Sequence, residues 1–309
     1  MDRRSFLAAG AAAAVTAGIT SDATAEDTPK RSNAAKFKLK YAPSMGQVKH
    51  HAGKDPIDQI KFIADEGFTA IFDNGFPHKS KDLQKKIVDE LAKQNMTMGP
   101  FVLYANFKEK TFVLNDKDIR KMLVERMKYG VEICKRCNIQ WALVVPGKYD
   151  ERLEWSYQTA NVIENLKYCA EVFEKENKTI VLEPLNTLKN HPWLFLTKIP
   201  QTYQICRAVN SPSVKIVNDL YHQQITEGNL ITNIDMAWTE IAAFHLGDNP
   251  GRKEPTTGEI NFKNIFKHLY KKGYDGVLCT EHGMIKGKGK EAERAMIDAY
   301  RYCDNFETS

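Results

Sequence analysis

No block of one charge sign dominates this 309-residue chain, and its one extended apolar run lies within the first 25 residues. The 44 basic and 39 acidic residues leave a net charge of +5. That balance is too even to give a domain the basic footprint of a nucleic-acid binder. Cysteine is scarce for a disulfide scaffold: Cys134, Cys137, Cys169, Cys206, Cys279 and Cys303. The pair Cys134-x-x-Cys137 has no second pair at zinc-ribbon distance and lies late in a helical pattern, outside any strand-to-helix turn. Each of the other four falls inside an expected helix or strand and reads as a small buried hydrophobe, with pairing in an oxidising compartment as the alternative. Neither a G-x-G-x-x-G after the first strand nor a G-x-x-x-x-G-K-[ST] occurs, so the dinucleotide and P-loop signatures are missing. The composition, 42% hydrophobic and 27% charged, is that of a globular chain and excludes collagen-like and disordered readings.

The first 25 residues read as an address. Asp2-Arg3-Arg4-Ser5-Phe6-Leu7 is followed by a weakly apolar, Ala-rich run to Ile19, and Ala23-Thr24-Ala25 offers a small-x-small cleavage site before Glu26. A charged start, a short apolar stretch and small residues describe a signal peptide. The paired arginines resemble a twin-arginine signal, so the expected location is periplasmic, after cleavage near Ala25. The run is too short to span a bilayer and no Cys follows the cleavage site, so no stable membrane anchor is expected. Residues 26–35 read as a polar linker and 36–309 as one catalytic domain.

From Phe37 onward, short apolar runs rich in branched and aromatic residues alternate with longer amphipathic segments. These patterns predict strands over 37–44, 68–74, 97–105, 140–145, 179–183, 214–219, 241–246 and 276–280. They predict helices over 55–66, 81–93, 116–136, 151–176, 199–209, 230–238, 262–272 and 290–306. Strict alternation implies parallel strands with crossover helices. Eight such units closing on themselves form an α/β fold of the (β/α)8 TIM-barrel kind, in which chemistry sits where strands end and the following loops begin.

Four successive strand ends carry a polar residue after an apolar run: Glu183, Asp219, His245 and Glu281, spaced by 36, 26 and 36 residues. Each spacing is close to one strand–helix unit, so adjacent strands bring the four to one rim. Three carboxylates and an imidazole that close repel one another unless a cation or shared protons intervene. The oxygen-rich set suits one divalent cation, Mn²⁺, Mg²⁺ or Co²⁺, better than a structural Zn²⁺, which prefers thiolate and imidazole.

Three stretches then resemble the hydroxypyruvate isomerase family. These are Glu183-Pro184-Leu185-Asn186, Asp219-Leu220-Tyr221-His222-Gln223-Gln224 with Glu227-Gly228, and Pro250-Gly251-Arg252-Lys253-Glu254-Pro255 continuing to Gly258-Glu259-Ile260-Asn261. The family sits among the xylose-isomerase-like barrels, with the sugar-phosphate isomerases/epimerases and the ketose 3-epimerases. The resemblance implies metal ligation by Glu183, Asp219, His245 and Glu281, acid/base roles for Glu183 and Glu281, and substrate oxygens held by His222 and Arg252. It departs at His245, where hydroxypyruvate isomerases carry Gln and the epimerases His, which sets hydroxypyruvate itself in doubt as the substrate.

The chemistry has its own logic. A cation on a ketone and its neighbouring hydroxyl stabilises an enediolate, and a carboxylate then suffices to remove the α-proton. Return of a proton to the opposite face epimerises; return to the neighbouring carbon isomerises. The expected partner is a small-molecule sugar or keto-acid. The expected activity is an aldose–ketose isomerase or a ketose epimerase, and homo-oligomerisation is left open. Elimination of a β-leaving group from a keto-sugar or keto-glycoside, and non-catalytic sugar binding, are the alternatives. A multinuclear zinc phosphodiesterase needs more His and Asp ligands than a chain with 8 His, one of them in the quartet, supplies. Asn186, Tyr104 and Trp193 are weaker substrate-contact candidates, and His50 and His51 after the first strand could line the rim. Asn106 ends the third strand. Lys286-Gly287-Lys288-Gly289-Lys290 reads as a solvated loop.

Overall fold

A computed structural model describes residues 34–308. The expected signal peptide over 1–25 and most of the expected 26–35 linker lie outside those residues; of that stretch, Ala34 and Ala35 are described, and the Ala34 N–H donates to Asp65 O at 3.3 Å.

The strands are short, because only a few residues of each unit must be buried on both faces. They are β1 (Lys40–Pro43), β2 (Ala70–Ile71), β3 (Thr97–Met98), β4 (Phe101–Ala105), β5 (Trp141–Val145), β6 (Thr179–Leu182), β7 (Val214–Asp219), β8 (Ile241–Leu246) and β9 (Val277–Thr280). All their pairings are parallel, in the order β1-β9-β8-β7-β6-β5-β4, with β2 beside β3. Two joints close the ring. Phe72 N donates to Pro43 O and Met45 N to Phe72 O, and Gly99 N donates to Ile71 O.

The expected third strand, 97–105, is interrupted at Gly99-Pro100. Proline offers no N–H to the ladder. At Gly99 a Cβ would stand 2.9 Å from both Cys279 Sγ and the Phe72 Cβ, so this stave passes its neighbours only without a side chain. With β3 and β4 counted as one stave, the ring has the eight staves expected.

Ten α-helices accompany the staves among the described residues: α1 (Lys49–Ala52), α2 (Pro56–Asp65), α3 (Lys81–Lys93), α4 (Lys117–Cys137), α5 (Trp155–Glu174), α6 (Ile199–Val209), α7 (Leu220–Thr226), α8 (Leu230–Ala237), α9 (Phe262–Lys271) and α10 (Lys290–Asp304). Several starts follow capping chemistry: Asp55 accepts from Ile57 N, Ser80 from Leu83 N and Asp116 from Ile119 N. None is long and apolar enough to cross a membrane. The short helices α1 and α7 lie in stretches where no helix was expected, since one or two turns carry too few residues for a periodic pattern.

Two hydrophobic layers follow from strand alternation. Small residues fill the barrel interior, among them Ala42, Val181, Val217 and Ala243. Larger ones, such as Phe101, Ile216, Phe244 and Leu278, pack outward against the helices. All six cysteines are buried free thiols, in line with their reading as small hydrophobes.

Candidate metal and active site

Strand alternation delivers the quartet to one mouth. Along β7 and β8 the inward series is Val217, Asp219 and Ala243, His245, while Phe244 turns outward. Glu183 and Glu281 fall one residue beyond β6 and β9. Ligand atoms of Glu183, Asp219, His245 and Glu281 all lie within 4.8 Å of one another. Nδ1 of His245 is 2.9 Å from Glu183 Oε1 and 3.1 Å from Glu281 Oε2. The Phe72 ring lies beside it with centroids 5.7 Å apart.

Asp219 divides its carboxylate between fold and site. Oδ1 accepts from Tyr221 N at 2.8 Å and His222 N at 3.1 Å, which starts α7. Oδ2 is left for the mouth, where Arg252 Nη2 approaches to 2.9 Å. The same nitrogen lies 2.7 Å from Glu281 Oε2, and Arg252 Nε donates to Glu281 O at 3.2 Å. The guanidinium also sits over the Tyr221 ring, 5.0 Å from its centroid, a favourable cation–π placement. Arg252 is therefore at the quartet, between Asp219 and Glu281.

Burial sets the electrostatics. It pushes Glu183 up to about 7 against the opposing pull of His245. Burial would lift Glu281 too, yet His245, Arg252 and Asn74 hold it well below the usual carboxylate range. Burial would lower His245, but Glu281 and Glu183 raise it well above its ordinary value. Three carboxylates thus share two positive partners, His245 and Arg252. This donor set fits a hard divalent cation, which would take over the charge that the imidazole proton supplies.

His222 is buried, and burial lowers its pKa to about 4. Its Nδ1 accepts from the Asn186 backbone N–H at 3.2 Å, which puts the ring proton on Nε2. That Nε2 is buried without a hydrogen-bond partner, 3.6 Å from Asp219 Oδ2. A neutral N–H donor thus stands unspent at the edge of the quartet.

The weaker candidates are placed elsewhere. Asn186 Nδ2 reaches His222 Nδ1 at 2.6 Å and Asn190 Oδ1 at 3.0 Å, while its Oδ1 takes Lys189 N and Asn190 N. Its polar groups hold His222 and the loop. Tyr104 packs edge-to-face on Phe112, at 5.8 Å, against the layer between strands and helices. A register shift between Val102 and Tyr104 turns it out of the inward series. Trp193 is exposed and, with Tyr149 and Trp155, lines a separate cavity of about 390 Å³ on the loops after β5 and β6. Asn106 bonds to Glu109 and caps its own loop. His50 and His51 are structural: each gives backbone N–H and Nδ1 to the Glu293 carboxylate at 2.7 to 2.9 Å, tying α1 to α10. The site residue that sequence reading missed is Asn74, whose Nδ2 donates to Glu281 Oε1 at 2.7 Å. It sat at the end of an expected strand, the position that singled out the quartet, but an amide there suggested neither a ligand nor a base.

Residues 60–303 match the family model of the xylose isomerase-like TIM barrels, and the chain belongs to that family. It is 36% identical over 124 residues to a hydroxypyruvate isomerase of Escherichia coli (strain K12), covering 40% of this chain and 47% of that protein. It is 25% identical over 238 residues to a 2-oxo-tetronate isomerase of Pectobacterium atrosepticum, covering 73% of this chain and 86% of that one. The matches to the first hydroxypyruvate isomerases span 47% to 64% of their lengths. Among solved structures, one described as an AP endonuclease, family 2, from Brucella melitensis superposes with a TM-score of 0.69 at 21% identity, covering 85% of this chain and 97% of that one. At that identity the likeness is one of fold.

Proposed function

We propose that this chain is an isomerase or epimerase acting on a small sugar or keto-acid, at a carbon next to a carbonyl, with one divalent cation held by Glu183, Asp219, His245 and Glu281. The observation that carries this reading is the quartet itself, with two carboxylates on either side of one imidazole nitrogen and a guanidinium shared between two of the acids. When bound, the cation supplies Lewis-acid polarisation of the substrate carbonyl. Glu183 and Glu281 are the proton carriers. One takes the hydrogen from the α-carbon as a proton, leaving its electron pair in an enediolate; the other delivers a proton to the opposite face or to the neighbouring carbon. Arg252 and the Nε2–H of His222 are placed to donate to the developing oxyanion. The buried walls around His245 and Asp219 keep water from competing for those donors.

NMR identification of the product from Mn²⁺-loaded protein with D-fructose and with hydroxypyruvate tests this directly. A 3-epimer or an aldose isomer, absent with EDTA, is the expected result; an elimination product or no metal-dependent product opposes the reading. The location is proposed from the leader alone: the mature protein acts outside the cytoplasm, and its N-terminus should be Glu26.

A further inference from the structure

Asn74 stands three residues past β2, and its backbone is fixed from both sides. Its carbonyl accepts from Val102 N at 3.3 Å. The preceding Asp73 takes Gly75 N at 3.0 Å and pairs with Lys79 at 2.9 Å. The side chain has a defined orientation, because the Glu281 Oε1 that it meets at 2.7 Å can only accept and so must face the amide nitrogen. Oδ1 therefore points away from Glu281, and it is buried with no hydrogen-bond partner among the described residues.

The Asn74 amide thus spends its nitrogen on one carboxylate of the quartet, from a backbone held on both sides. We propose that Asn74 is a positioning residue that holds Glu281 for proton transfer through its Nδ2–H. This rests on the isomerase or epimerase reading of the same site.

The test compares full-length Mn²⁺-loaded wild type with Asn74→Ala, using D-fructose and hydroxypyruvate as probes. EPR of free Mn²⁺ reports cation affinity alongside the kinetics, and Asn74→Ser covers the event that the alanine variant does not fold. For Asn74→Ala, kcat should fall about tenfold or more on every probe the wild type turns over, with KM changed less than kcat, a factor of ten being one lost hydrogen bond's worth. Mn²⁺ affinity should stay within about twofold of wild type, because Asn74 donates to a ligand without being one. An unchanged kcat overturns the positioning role. Loss of Mn²⁺ in step with activity shows a merely structural residue. A wild type that binds Mn²⁺ yet turns over neither probe defeats the underlying reading, and this inference with it.

Discussion

The Nδ1 of His245 stands 2.9 Å from the Oε1 of Glu183, although the two residues come from different strand ends. A proton lies in that contact, and the neighbouring carboxylates favour its place on Nδ1 against the effect of burial. A cation at the quartet must displace the proton. Mn²⁺ should therefore bind more tightly as pH rises from about 5 to about 8, with protons released. Calorimetry in two buffers of different ionisation enthalpy measures that release. At about 100 times the dissociation constant, Mn²⁺ should add roughly 2.7 kcal/mol to the unfolding free energy. His245→Ala should abolish most of this gain. A melting curve indifferent to Mn²⁺ at every pH would count against the metal site.

Arg252 holds Asp219 and Glu281 through one nitrogen and the Glu281 carbonyl through another. Lysine brings the charge but not the fork. Arg252→Lys should lower kcat/KM on the order of 10²-fold, as loss of one oxyanion donor does, while Mn²⁺ binding persists. Steady-state kinetics with an EPR titration separates the two effects, and a full loss of Mn²⁺ would assign Arg252 to structure alone.

Glu293 ties α10 to α1 through four hydrogen bonds from His50 and His51. Burial would raise its carboxyl, but those bonds lower it below its ordinary 4.5. A lowered folded-state pKa gives stability that is present above the unfolded value and is lost as pH falls through the folded one. Urea midpoints of wild type should therefore decline below about pH 4.5 more steeply than those of Glu293→Gln, which should already be low at neutral pH. Parallel curves for the two proteins would contradict this.

The loop bearing Arg252 depends on Gly258. A Cβ there would overlap the Asn249 carbonyl and stand 2.7 Å from Asp248 Oδ1, the carboxylate that also accepts from Ile260 N. Because the obstacle is partly backbone, Gly258→Ala should cost roughly 1–3 kcal/mol and reduce kcat/KM by displacing Arg252. Unchanged melting and kinetics would show the loop to be more pliant than its contacts imply.

The staves and the quartet were legible because both rest on short-range pattern. Apolar runs mark the strands, and period-two alternation carries Asp219 and His245 to the same side as Val217 and Ala243. What escaped depends on contacts distant in sequence. Asn74 matters through Glu281, 207 residues away. Nothing near His50 and His51 announces Glu293. The break at Gly99 reflects the close approach of Cys279 and Phe72, and α7 arises because Asp219 caps it while serving the site. As substrate-contact candidates Tyr104 and Trp193 rest on their place near strand ends alone, whereas a local register shift turns Tyr104 outward, and Trp193, in a left-handed backbone conformation at φ 75°, packs near Tyr149.

Deuterium incorporation from D₂O tests the central claim most directly. Mn²⁺-loaded wild type, the EDTA-treated protein and Glu281→Gln would each be incubated with D-fructose and hydroxypyruvate and followed by NMR. Label should enter only at a carbon next to the carbonyl. It should need Mn²⁺ and fall by about 10²-fold or more in Glu281→Gln, the usual weight of a proton-transferring group. Label that enters equally well in the variant or in EDTA, or a product formed with no label, would contradict proton transfer at this quartet.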